Sequence, residues 1–378
     1  MRRLVWSARV TAGLLSTAGL GLVAAPAQAA ALGEVSLHPG PDGSYVRYVA
    51  AKNATNKVVI TRSGNTVTID DRVKIKAGTD CTAVKGDKTK VRCTSPDTTE
   101  VRMWLFDKGD AAVNRTSLML NVYGGSGNDS ITGGSQRDLL RGESGNDKIW
   151  GQGGRDKLYG DSGSDRLYGG TGIDDIYNGN GTDVVYGNSG SDRLHGSDGD
   201  GNDKLYGGTG NDQFMPARNV DGADLFVGNS GTDAVHYWWR DLPVSADLDG
   251  AKGDDGAKGE RDTISADIEN LSGGQGHDVL RGDKGRNVIR GQWGNDRIYG
   301  GGGNDTLDGE STNDQIWGQS GNDTLIGGVG EDRMYGGAGN DTLNGDDIYI
   351  GELDRLDGGA NTDVCQAFAP DVRVNCER

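Results

Sequence analysis

One apolar residue in every nine, held in register over most of the chain, sets the terms on which this sequence can fold. From Gly124 to Met215 the chain runs through ten consecutive units such as GGSGNDSIT, GESGNDKIW and GDSGSDRLY, each of nine residues save one of eleven. Two looser units, NVDGADLFV and GNSGTDAVH, end at His236, and a second array of ten, one of them stretched, runs from Gly273 to Gln366. Across these 22 units the eighth position is apolar every time, and the sixth is Asp in 21, Asn287 being the exception. Internal repetition at a fixed period is the signature of a solenoid. A strand of about three residues carries the inward side chain, and the preceding six reverse the chain. Glycine at the first, often the second, and the fourth position permits positive φ and close backbone approach. Two units then make one coil, and coils stack as parallel strands about 4.8 Å apart. The eighth positions form a narrow core, and the sixth-position carboxylates project between adjacent coils.

Composition agrees with that picture. Of 378 residues, 66 are Gly and 56 acidic, 47 of them Asp; only 34% are hydrophobic and the formal net charge is −17. A compact core needs more apolar residues and fewer glycines. What remains is a disordered acidic chain or a repetitive fold whose carboxylates are neutralised by metal. The acidity also argues against nucleic acid as a partner. Calcium takes six to eight oxygen ligands in flexible geometry, magnesium demands stricter octahedra, and zinc would want the His or Cys that the repeats mostly lack.

The units resemble the repeats-in-toxin (RTX) nonapeptide, G-G-x-G-x-D-x-U-x. The resemblance covers residues 124–236 and 273–366. It implies an all-β fold, a right-handed parallel β-roll with calcium between neighbouring turns. Carried over unit by unit, one edge of the first array is lined by Asp129, Asp147, Asp165, Asp183 and Asp203, and the other by Asp138, Asp156, Asp174, Asp192 and Asp212. In the second array Asp278, Asp296, Asp314 and Asp332 line one edge and Asp305, Asp323 and Asp341 the other. Gln136 and Thr312 replace the fourth-position glycine and Asn287 replaces an Asp, so sites touching them are expected to be weak or empty.

Outside the arrays, Arg2, Arg3 and Arg9 precede an apolar run from Val10 to Ala25 and the triplet Ala27-Gln28-Ala29, the order of a Sec-type signal peptide over residues 1–29. The Arg2-Arg3 pair leaves twin-arginine export as an alternative. No later stretch has the length of a membrane span. The expectation is a secreted, extracellular protein. Residues 30–123 alternate in apolar character at Val58, Ile60, Val67 and Ile69 around Ser63-Gly64-Asn65, a hairpin pattern. This segment is the natural β-rich cap for the open end of a solenoid. It is similar to the N-terminal region of secreted actinobacterial calcium-binding proteins of this type. Four cysteines allow three connectivities; the two short loops, Cys81–Cys93 and Cys365–Cys376, are the simplest choice, and a four-cysteine metal site would prefer C-x-x-C spacing, which is absent. Residues 367–378 would cap the far end. Between the arrays, residues 237–272 read as short strands around a polar loop, with one solenoid continuing through them.

Ninth-position aromatics recur on alternate units: Trp150, Tyr168, Tyr186 and Tyr206, then Tyr299, Trp317 and Tyr335. Rings repeated every coil are expected to stack on one another rather than offer open faces to a glycan. Gly160-Asp161-Ser162-Gly163 and Arg281-Gly282-Asp283 spell short protease and adhesion motifs, but both lie in repeat register. With no HExxH and no G-x-S-x-G, catalysis is not expected. The expected function is a non-enzymatic calcium-binding protein that folds on extracellular calcium. A calcium-dependent scaffold for adhesion to a surface or glycan, through the aromatic edge or the 237–272 segment, is the alternative.

Overall fold

The computed structural model describes residues 32–196, 199, 201–345, 353–367 and 370–377. The signal sequence read over residues 1–29 lies outside them. The described residues contain no helix; they form a parallel β-solenoid of about fifteen turns. The nine-residue period translates directly into register. Leu140 pairs with Leu158, and Leu158 with Ile176, so the same position recurs after two units and each coil holds one strand on each of two faces.

On the first face the inward column runs Tyr48, Met103, Val122, Leu140, Leu158, Ile176, Leu194, Phe214, Val235, Leu271 and Ile289, and on to Leu343 and Cys365. On the second it runs Val58, Ala112, Ile131, Ile149, Leu167, Val185, Leu205, Phe226 and Ile264, and resumes from Ala246 through Leu280 to Leu356. All of these side chains are buried. Full burial of one such residue contributes about 1.5–3 kcal/mol, so a core one residue wide is assembled by repetition.

The N-terminal segment docks onto this stack instead of standing apart. Gly33–Gly40 and Gly43–Val49 form an antiparallel pair, and Gly43–Val49 runs parallel to Thr98–Trp104, which pairs with Met119–Ser126 and so with the first array. The hairpin around Ser63-Gly64-Asn65 forms between Lys57–Ser63 and Thr66–Asp70. Cys81–Cys93 ties the strand Cys81–Ala83 to Lys90–Thr94 at its edge. Solenoid geometry begins before the recognisable repeats: Phe106 and Lys108 adopt φ of 77° and 76°, and Ala112 takes the inward position. Residues 105–113 are thus a degenerate unit, half a coil, that the sequence reading placed in the cap.

Between the arrays the first face continues without a break, Ala234–His236 pairing with Asn270–Ser272 and that strand with Val288–Arg290. The second face is spliced. Leu225–Ser230 pairs with Thr263–Ile264, whereas Val244–Asp247 starts the ladder that continues into Val279–Arg281. The buried carboxylate of Asp255 spans the splice, accepting the Asp247 N–H on one oxygen (2.7 Å) and the Ile264 N–H on the other (2.8 Å). At the far end Cys365–Cys376 joins the last inward position to the chain beyond Val372–Val374.

The ninth-position rings stack as expected. Trp150, Tyr168, Tyr186 and Tyr206 form a continuous ladder with centroids 4.9–5.6 Å apart and planes within 10°. Tyr299, Trp317 and Tyr335 form a second, and Tyr159, Tyr177 and His195 a third. Guanidinium groups close two of these ladders, Arg141 over Tyr159 at 4.6 Å and Arg281 over Tyr299 at 5.1 Å. The Arg281-Gly282-Asp283 tripeptide is accordingly part of the roll.

Candidate metal centres

Each turn is shaped by three constraints that the repeat encodes separately. In most turns the second position adopts positive φ whether or not it is glycine: Glu143, Gln152, Asp161, Asn188, Gln292 and Gln319 lie at 68–78°. In most turns the fourth position is positive too, and a Cβ there would sit on the carbonyl of the same position one coil earlier, as at Gly163 over Gly145 and Gly190 over Gly172. Thr312 and Asn361 nonetheless hold this conformation without glycine, at 78° and 89°. The first position is glycine for a different reason. Its φ is ordinary, but a Cβ would collide with the sixth-position carboxylate of its own unit and crowd the first-position carbonyl of the next coil, as at Gly169 against Asp174 and Gly187.

Those turns bring the sixth-position residues into two files. In each file one carboxylate oxygen, Oδ1, accepts the backbone N–H of the sixth residue one coil earlier, at 2.7–2.9 Å: Asp129 to Asp147, Asp147 to Asp165, Asp165 to Asp183 and Asp183 to Asp203 on one edge. On the other edge the same bond links Asp138, Asp156, Asp174, Asp192 and Asp212 in turn. In the second array it links Asp278, Asp296, Asp314 and Asp332, and likewise Asp305, Asp323 and Asp341. All seventeen aspartates named from the sequence are therefore buried members of the two files.

What the second oxygen does divides them. In Asp129, Asp147, Asp156, Asp165, Asp174, Asp183, Asp192, Asp212, Asp296, Asp305, Asp314, Asp323 and Asp341, Oδ2 is buried and receives no hydrogen bond. Asp138, Asp278 and Asp203 differ. Oδ2 of Asp138 accepts the Gly134 N–H and that of Asp278 the Gly274 N–H, because the second position of these two turns stays out of the positive-φ region. The unit of Asn287 closes the same way, Asp283 N–H donating to Asn287 Oδ1 at 3.0 Å. In Asp203 the Asn178 side chain, at a first position, donates to Oδ2. These turns already satisfy their own acceptors.

A buried carboxylate oxygen without a donor is costly when charged. Desolvation accordingly pushes Asp129, Asp156, Asp183 and Asp296 up to about 8 and Asp314 to about 9, with neighbouring carboxylates in the file adding to it. Oδ2 of each open turn lies beside the first-position carbonyl of the following coil, as the space next to Gly151, Gly187 and Gly318 shows. The donor set is oxygen throughout, carboxylate and carbonyl from two coils, which suits calcium and not zinc. The orphaned oxygens and the missing counter-charge fit a hard divalent cation.

The files reach further than the sequence reading took them. Asp233 and Asp363 occupy sixth positions and also carry an unpartnered buried Oδ2, a role readable from the register alone. Asp110 belongs as well: its N–H donates to Asp129 Oδ1, its own Oδ1 accepts from Asn56, and its Oδ2 is bare. The signal for Asp110 is faint, a Gly-Asp followed by Ala-Ala-Val nineteen residues before Asp129. Beyond it the file ends on internal donors, with Tyr48 Oη donating to Asp71 at 2.7 Å. At the splice Asp262 and Glu269 continue the two files, accepting from Asp224 and Asp233. A fully buried arginine, Arg240, lies there paired with Glu260 and Asp221.

A solenoid of this build, with acidic files between its coils, fits a calcium-binding repeat protein. The family model of the RTX calcium-binding nonapeptide repeat matches residues 123–158, 141–176, 177–214, 272–307 and 308–343, within both arrays. No curated protein matches the chain. Residues 123–214 and 272–343 thus match RTX repeats, and such repeats are calcium-binding.

Proposed function

We propose that this is a secreted, non-enzymatic calcium-binding protein whose roll orders as the chain meets extracellular calcium. The observation that carries the reading is the run of buried, unpartnered Oδ2 atoms along both edges of the stack. The sites would lie between consecutive open turns, at Asp129, Asp147, Asp165 and Asp183 and at Asp156, Asp174, Asp192 and Asp212 in the first array. In the second they would lie at Asp296 and Asp314 and at Asp305, Asp323 and Asp341. Bound calcium would supply there the positive charge that the carboxylate files lack. The chain's own part is to hold one oxygen of each carboxylate in the backbone ladder, which leaves the other aimed at the neighbouring coil. The closed turns at Asp138 and Asp278 and the Asn178–Asp203 contact would leave those three positions without metal.

Two features support export. The N-terminal sequence reads as a Sec signal, and both cysteine pairs are disulfides, which persist in oxidising compartments. Where calcium is scarce, repulsion along the files keeps the repeats unfolded and export-competent; abundant calcium outside reverses this. The adhesion alternative draws no support from the aromatic ladders, whose ring faces cover one another. Circular dichroism of the mature chain during calcium titration and subsequent chelation tests the proposal. β-Structure should rise with calcium and collapse with chelator; a β-signal indifferent to both would sink it.

A further inference from the structure

Near the splice, among the described residues, lies a concave feature whose lining extends beyond the calcium files. Where the inter-array loop folds back over the second face, a cleft of about 760 Å³ opens between the coils of Asp203 and Asp224 and the loop residues Lys252 and Gly253. The loop is pinned above it, Gly253 N–H donating to Thr263 Oγ1 at 3.0 Å. Three cationic residues line the cleft, Lys204 from the sheet, Lys252 from the loop and Arg261 from the segment leading into Thr263–Ile264. None of the three has an ion-pair partner among the described residues, although the chain has a formal charge of −17 and acids stand on almost every turn. Here three converge unpaired on one hollow.

The two acids in the cleft wall do not cancel them. Asp203 and Asp224 are buried, their Oδ1 atoms accept the backbone N–H groups of Asp183 and Asp203, and Asp203 also receives the Asn178 amide. Between the cations the wall offers Ala223 and the half-buried Leu225, and also Asn202, whose Oδ1 accepts the Ala223 N–H so that its amide hydrogens face outward. Thr263 Oγ1 is taken as an acceptor but keeps its own hydrogen to donate.

We propose that this cleft binds an anionic sugar: a mono- or disaccharide, or a glycan terminus, bearing a carboxylate or sulfate. The acid group is held by Lys204, Lys252 and Arg261, the hydroxyls meet Asn202 and Thr263, and the ring's C–H face rests on Leu225 and Ala223. The volume is that of a small-ligand site and many times what an inorganic anion occupies. A long polyanion is disfavoured, because outside the cleft it would lie against the acidic turns. This goes beyond calcium binding, which it takes only as the condition under which the roll is folded.

The test is isothermal titration of the calcium-saturated mature protein with glucuronate, glucose 6-sulfate, neutral glucose and inorganic sulfate, none used at concentrations that strip calcium. The same titrations are run on Lys204→Ala/Lys252→Ala/Arg261→Ala. All three residues are solvent-exposed, so the variant should keep the wild-type calcium-loaded dichroism. Binding of glucuronate or glucose 6-sulfate, at least tenfold weaker in the triple variant and at least tenfold weaker for glucose, supports the assignment. Inorganic sulfate binding as tightly as the sugar anions would overturn it in favour of a bare anion site. So would equal affinity in variant and wild type, or no binding by either sugar anion while the roll is folded. Failure of the roll to fold with calcium would be seen first in the dichroism and would count against the calcium reading instead.

Discussion

Three glycines of the nonapeptide are there for three reasons, and substitution separates them. Gly190, at a fourth position, combines a φ of 137° with a Cβ direction that runs into the Gly172 carbonyl. Gly190→Ala is expected to cost about 2–4 kcal/mol, about 1 for the conformation and the rest for overlap that backbone must relieve. Asn188→Gly two residues earlier, where φ is 75° and a side chain is already accommodated, should change stability by less than about 1 kcal/mol. Urea unfolding in saturating calcium compares the two, and equal effects would contradict the assignment. At the sixth position, Asp183→Asn keeps an oxygen for the Asp165 N–H but removes the charge at the bare Oδ2. It should lose at least one calcium equivalent by titration calorimetry while the roll still forms at high calcium. The sixth and eighth positions were legible because each repeats the same demand in every coil. The closed turns were legible in part: Gln136 and Asn287 mark two of them as departures from the repeat, whereas the unit of Asp278 matches it throughout and closes all the same.

Stacked elements add terms that no single coil has. Tyr168 is stacked on both sides, by Trp150 and Tyr186, whereas Tyr335 ends its ladder on Trp317. Aromatic pairs are worth about 0.5–1.5 kcal/mol beyond their buried area, so Tyr168→Ala should lower stability by about 1–3 kcal/mol and Tyr335→Ala by roughly half as much. Thermal unfolding of the calcium-loaded variants would show the difference, and a larger loss at Tyr335 would contradict stacking as the cause. The ladders could be foreseen because ninth positions share a face on alternate units. The splice could not. Asp255 bonds two strands across it, yet an aspartate in a loop rich in Gly, Lys and Asp has no period to mark it. The same holds for the degenerate unit at residues 105–113, where Phe106 and Lys108 occupy turn positions with none of the usual glycines.

At the scale of the whole molecule, the same carboxylates set opposite responses to pH with and without metal. Burial raises the folded-state values of Asp129, Asp156, Asp183 and Asp296 to about 8, far above the ordinary carboxylate range. A metal-free roll therefore holds more protons than the unfolded chain. Its stability is greatest below about pH 4, falls as pH rises through the interval up to about 8, and stays low above it. Calcium needs the ionised form, so its apparent affinity climbs over that interval. Two titrations follow. In chelator, acidification from pH 8 toward 5 should increase β-structure by circular dichroism. In limiting calcium, the same acidification should release calcium, read by equilibrium dialysis as fewer ions bound per chain. If β-structure in chelator instead declined on acidification, the orphaned carboxylates could not be what keeps the metal-free chain unfolded. Seen this way, the glycine and aspartate excess is not a departure from foldability. It moves the counter-charge for the fold out of the chain and into the solvent, where proton and calcium compete for the same row of oxygens.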